Sequence, residues 1–206
     1  MIRPTATRAR RAHPLTVSTL VVAAAALFAL SLAMPVAAEP GNDNRAPELE
    51  GDAARLTVEA GNKLAFHAYA EGVQIYRWTG AAWTFVGPEA VLYAHEGDAD
   101  DDDGAAGFGI IATHYATPAG PAWESASGSK VIGQRLDGVP VDPTAIDWLL
   151  LKAKSANAPG IFHGITFIQR LNTTGGKAPT AAGDFIGQEV GIPYTADYFF
   201  YRAAQH

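Results

Sequence analysis

The 206-residue chain contains no cysteine. That excludes disulfides, thiol nucleophiles, thiolate metal sites and a lipid-modified cysteine at an export cleavage site. Charge is also scarce: 17% of residues are charged, with 15 basic against 21 acidic. Nucleic acid and anionic membrane are poor partners for such a surface. GxSxG, HExxH, a P-loop and a GxGxxG after a strand are all missing. The sequence therefore offers no ready signature of a serine hydrolase, a zinc protease or a nucleotide-binding enzyme. A secreted domain without disulfides must be held by core burial, and this length suffices for that.

What is present begins with a leader. Arg3, Arg8, Arg10 and Arg11 precede any acid, the first being Glu39. Residues 15–32 are apolar apart from a few Ser and Thr, and small residues in "AMPVAAEP" follow. This pattern predicts a signal peptide over 1–38, cleaved after Ala38, and a secreted, periplasmic or cell-envelope location. Left uncleaved, the apolar stretch approaches the length of a membrane anchor, the one membrane link expected. Removing the leader takes four arginines and no acid, which leaves 11 basic and 21 acidic residues, a net charge of −10. Residues 39–54, with Pro40, Gly41, Asn42, Asp43, Asn44 and Pro47, read as a flexible linker. A single domain is expected over 55–204.

From Leu56 the chain alternates with period two. "KLAFHAYA" sets Leu64, Phe66 and Ala68 against Ala65, His67 and Tyr69, and "GVQIYRW" sets Val73 and Ile75 against Gln74 and Tyr76. "TGAA" between Trp78 and "WTFV" reads as a hairpin. Further strands are predicted at 90–95, 108–115, 130–136, 161–171 and 194–202. A short turn at 143–146 followed by a strand is expected in "PTAIDWLLLKAKS", where a helix is the competing reading. Short β-rich runs with Gly and Pro punctuation predict an all-β fold. Its expected form is an antiparallel β-sandwich with long loops, the alternative being an open β-barrel.

The acidic run at 96–103 holds six of the 21 acids. Clustered carboxylates suit calcium, but placing Gly104 at the sixth EF-hand position puts Ala99 at the first and Ile110 at the twelfth. No EF-hand results, and a solvated insertion is the simpler reading. His67, His95, His114 and His163 show no HxH or HxxxH spacing, so no metal site and no cofactor is expected. In "THYATPAGPAWESASGSKVIG", 113–133, Trp123 sits among glycines and prolines and is expected in a loop. It would either cap the core or offer a stacking platform for a ligand such as a sugar.

Six segments occur in a characteristic order: "EGVQIYRW", "PEAVLY", "THYA…GPAWES…GSKVIG", "IDWLLLKAKS", "FIQRLNTTGGKAP" and "GQEVGIPYTADYFFYR". On these the chain resembles DUF3455, a family of secreted proteins of bacteria and fungi, from about Leu56 to Arg202. The resemblance implies one secreted domain with no established activity. Relatives often carry a cysteine where this chain has Trp78 and another where it has Gly183-Asp184, which implies a disulfide there, replaced here by packing of Trp78. Relatives also have a shorter link before "THYA", so the acidic run is an addition.

His114, Tyr115, Trp123, Glu124 and Lys130 are expected to cluster at one end of the domain as a ligand site. The expected function is non-catalytic binding, of a saccharide or another small ligand or of a surface. The alternative is a hydrolase or metal-dependent enzyme using His114 and a nearby carboxylate; a purely structural envelope component is the third reading.

Overall fold

The alternating runs pair with their sequence neighbours and then with each other. In a computed structural model, described over residues 45–97, 109–156 and 158–204, they form eight antiparallel strands. These are β1 (Asn62–Trp78), β2 (Trp83–Tyr93), β3 (Ile110–Thr117), β4 (Gly120–Glu124), β5 (Lys130–Val139), β6 (Trp148–Ser155), β7 (Ile165–Gly175) and β8 (Glu189–Ala203). Each pairs with the next, and β8 pairs back along β1, so the sheet closes into an up-and-down barrel. The all-β, antiparallel expectation holds. Of the two architectures, the barrel forms in place of the sandwich, and it is closed rather than open.

The reason lies in strand length. The two pieces "KLAFHAYA" and "GVQIYRW" are one strand that runs through Glu71-Gly72, 17 residues long, and β8 has 15. Both are long enough to pair on both sides, and closure removes the exposed edges a sandwich would leave. "WTFV" and "AVLYAH" likewise merge into β2, kinked by a register shift where Ile75 meets Gly87 and Tyr76 meets Phe85. Three other expectations change. The Trp123 segment is strand β4, not a loop. Residues 161–164 are turn, and β7 begins at Ile165. Thr173 and Thr174 continue that strand past a bulge after Leu171.

Alternation sorts the side chains into an inner and an outer set. Inside lie Ala68, Ala70, Ala90 and Ala112 from β1 to β3, facing Trp123, Ile168, Tyr194, Tyr198 and Phe200. Small residues on one wall thus leave room for large ones from the other. Gly133 on β5 does the same locally: a Cβ there would lie 3.0 Å from the Trp123 ring and 3.2 Å from Leu151. A register shift between Leu64 and Phe66 breaks the phase expected for β1. Phe66 joins the interior, while Leu64 packs outside with Phe167, Phe199 and Tyr201.

That outer apolar strip is covered by the N-terminal segment. A linker is expected over residues 39–54, but its described end runs into a 3-10 turn (Gly51–Leu56) with Ala53 and Leu56 buried. Gln169, itself buried, donates from Nε2 to the Leu56 carbonyl at 2.7 Å and accepts from the Tyr201 hydroxyl at 2.6 Å. Arg55 forms an ion pair with Asp137 on β5. The leader, and the acidic run beyond Gly97 with its calcium reading, lie outside the described residues.

One end of the barrel is plugged. Phe162, from the β6–β7 connection, is fully buried against Phe66 (5.7 Å) and Phe200 (5.2 Å). Its backbone N–H donates to buried Ser129 Oγ at 3.0 Å, which fixes the plug to the β4–β5 turn. The opposite end carries the connections 79–82, 118–119, 140–147 and 176–188, and the interior stays open beneath them.

Candidate functional site

The open half of the barrel holds a cavity of about 800 Å³. Its apolar lining includes Phe85, Pro88, Trp123, Ile146, Leu149 and Leu151. Its polar lining includes Gln74, His114, Arg135, Asp147, Arg170, Lys177 and Tyr198. A closed barrel of eight strands is just wide enough to be filled by side chains or to hold one small ligand. Here both occur, at opposite ends.

His114 and Trp123 are register partners on β3 and β4 and both point inward. Their rings stack at 4.3 Å and 7°, and the edge of Tyr198 meets both, at 5.3 Å and 5.4 Å. His114 is 3% exposed, and burial pushes its pKa down to about 3, with the Arg170 charge adding to the fall. It is therefore neutral. Its Nδ1 lies 2.9 Å from the Ala122 carbonyl, which can only accept, so Nδ1 carries the proton and Nε2 the lone pair.

Arg170 projects inward from β7, in phase with Ile168. Nε and Nη2 both donate to the Asp147 carbonyl, at 3.2 Å and 2.8 Å. Its charge also opposes the effect of burial on the nearby phenols of Tyr76, Tyr194 and Tyr198, whose pKa values burial raises. Arg135 pairs with the Asp147 carboxylate at 3.2 Å. Beside Arg170, Tyr194 and Tyr198 lie against each other and near Gln74. Yet Tyr194 Oη, Tyr198 Oη, Gln74 Nε2 and Trp123 Nε1 are buried without a well-formed hydrogen bond. Native interiors seldom strand several polar atoms together, and such groups call for an explanation.

The five residues expected to cluster are divided by the barrel wall. His114 and Trp123 face the cavity. Tyr115, Glu124 and Lys130 face outward and form their own group. There the Tyr115 hydroxyl donates to Glu124, Lys130 Nζ lies 2.9 Å from Glu124 Oε2, and the ammonium sits 5.6 Å from the Tyr115 ring centre. These contacts hold the Glu124 carboxyl below its usual range and raise Lys130. The pairing of His114 with Glu124 is not made, because adjacent strand residues point to opposite faces. Of the other histidines, His67 stacks on Phe199 and His163 is exposed in a turn. Among the described residues no group of three or more His, Cys, Asp or Glu is placed to hold a metal.

Gln74, Tyr76, Arg135, Asp147, Arg170 and Tyr198 line the site without having been expected there. A signal did exist for some. Gln74 and Tyr76 fall on one face of β1 together, and Arg170 falls in phase with Ile168 in "FIQRL". A charged or polar residue on the buried phase of a strand marks a cavity or a partner.

The position inferred for a bridge in relatives is also visible. A Cβ at Gly183 would lie 2.6 Å from Trp78 Cγ and 2.8 Å from Trp78 Cβ, so the two positions are in contact.

No curated protein and no solved structure matches the chain. A family model described as a protein of unknown function, DUF3455, matches residues 59–202, from the start of β1 almost to the end of β8. The match spans the whole barrel and all the cavity-lining residues, and the chain belongs to the DUF3455 family.

Proposed function

We propose that the protein is a non-catalytic binding barrel, exported by its leader, that holds one small and largely apolar ligand in the cavity. The half-filled interior carries this reading: a space of about 800 Å³ with a largely apolar lining, beside buried polar atoms that lack a well-formed hydrogen bond. Small-molecule sites are of this kind, mostly apolar with a few fixed polar groups. Each stranded group costs stability unless something completes it.

A saccharide fits less well. It would need a free aromatic face, and one face of Trp123 is taken by His114. Hydrolysis with His114 as base is also less supported, because a base works best with a pKa near the operating pH. This ring is held far below that, at about 3, and Glu124 is on the other side of the wall.

The test uses 1-aminoanthracene, an uncharged apolar dye. Its emission should rise on binding with 1:1 stoichiometry, and Leu149→Trp, which fills the cavity, should abolish the effect. No binding to the wild type, or equal binding to a folded Leu149→Trp variant, would overturn the reading.

A further inference from the structure

We infer that the cavity selects an amphipathic carboxylate, whose head is held by Arg170 and whose apolar body lies against Leu149, Leu151 and Trp123. This rests on the binding-barrel reading and deepens it.

The first observation is the sign of the charge. The cavity is lined by three cations, Arg135, Arg170 and Lys177, and one carboxylate, Asp147. His114 adds nothing, because it is neutral. The lining therefore carries a net charge of +2, inside a chain whose formal net charge is −6. Arg135 and Lys177 are exposed and Arg170 is half-buried, so a positive patch marks the cavity in an otherwise acidic molecule and draws anions to it.

The second observation separates Arg170 from Arg135, which is paired, and from Lys177, which is exposed to solvent. The Asp147 carboxylate is already paired with Arg135. Arg170 takes only the backbone carbonyl of Asp147, and among the described residues no carboxylate lies within ion-pair distance of it. A half-buried guanidinium without a counter-charge is costly. A ligand anion would supply the missing charge.

The third observation is geometric. A guanidinium has five N–H donors in a planar fork. The Asp147 carbonyl occupies the edge formed by Nε and Nη2. Three donors remain, among them the parallel pair at the Nη1–Nη2 end, with the Tyr198 hydroxyl close enough to accept from one of the three. That pair matches the two oxygens of a carboxylate, the bidentate arrangement for which arginine is suited. Next to it, Tyr198 Oη lacks a well-formed partner and His114 Nε2 is an acceptor. The hydroxyl can donate to the same head group. The imidazole can accept from a hydroxyl on the ligand.

Isothermal titration with two matched series tests this on the purified protein: decanoate, decanamide and decylamine, and 1-naphthylacetate with its amide and amine. The acid should bind roughly ten- to a hundredfold more tightly than the amide in at least one series, the scale of a charge-assisted bidentate contact. The amine should bind weakest. Arg170→Met should bring acid and amide within twofold of each other, and Arg170→Lys should restore part of the gap. Should Arg170→Met fail to fold, the wild-type series and Arg170→Lys still decide. Acid and amide within twofold in the wild type, or a preference for the amine, overturns the carboxylate assignment and leaves the binding barrel standing. If no member of either series binds, nor 1-aminoanthracene, the binding barrel itself falls.

Discussion

Two tyrosines three residues apart on β8 should respond to the same substitution with opposite signs. Tyr198 faces the interior, is 1% exposed, and its hydroxyl has no well-formed hydrogen bond. Stranding such a group costs about 1–3 kcal/mol. Tyr198→Phe removes the hydroxyl and keeps the ring, including its edge contacts with His114 and Trp123. A gain of about 1 kcal/mol is expected, at the low end because the neighbouring Tyr194 and Arg170 offset part of the penalty. Tyr201 faces the outer strip, where its hydroxyl donates to Gln169 Oε1 at 2.6 Å. Gln169 is 2% exposed and is held in turn by the Leu56 carbonyl. Tyr201→Phe leaves that oxygen unpaired and should cost about 1–2 kcal/mol. Urea unfolding followed by circular dichroism measures both, and in a domain of this size each 1 kcal/mol moves Tm by about 2–4 °C. Tyr198→Phe as destabilising as Tyr201→Phe would refute this, since the Tyr198 hydroxyl would then have a partner.

Other consequences follow from the same geometry. Trp123→Ala removes an indole that is 1% exposed and should cost about 3–5 kcal/mol by denaturant titration, whereas a loss under 1 kcal/mol would show that the indole is not core. His114 is held neutral with a pKa of about 3, while the unfolded chain takes up that proton near pH 6.5. Its contribution is thus complete above about pH 6.5 and is lost as pH falls toward 3, at about 1.4 kcal/mol per pH unit. Unfolding curves at pH 7 and 5 should show this slope in the wild type and a flatter one in His114→Gln; equal slopes would contradict the neutral assignment. Trp78→Cys with Gly183→Cys should oxidise spontaneously, because the two Cβ positions need only move apart by somewhat under 1 Å to reach bridge geometry. Thiol titration should find no free cysteine and a gain of about 2–4 kcal/mol; two persistently free thiols would refute the contact.

Strand content was legible because period-two alternation is local: it survives in "FHAYA", "GVQIYRW" and "YTADYFFYR" without knowledge of any partner. Closure was not. Whether β8 pairs with β1 depends on registry between residues more than 100 apart, and no local pattern encodes that. The loop assigned to Trp123 failed for a related reason. Gly120 and Pro121 look like turn residues, yet Gly120 only opens β4 after a two-residue hairpin. The candidate site was half legible. His114 and Trp123 are in it, but the alternation that revealed β3 also places Tyr115 on the opposite face. Glu124 could not be placed in that way, because its side follows from the pairing of Trp123 with His114, in a segment read as a loop. Leu64 was assigned the wrong side because a bulge shifts the phase, and bulges leave little trace in sequence.

On the proposed reading, a ligand enters the open half of the barrel. Side-chain NMR signals recorded while decanoate is added to the protein report where it goes. Saturable shifts are expected at His114, Leu149, Leu151 and Arg170, with Tyr115, Glu124 and Lys130 unmoved. Shifts confined to that outer group, or no shift at any of the seven, would contradict that reading.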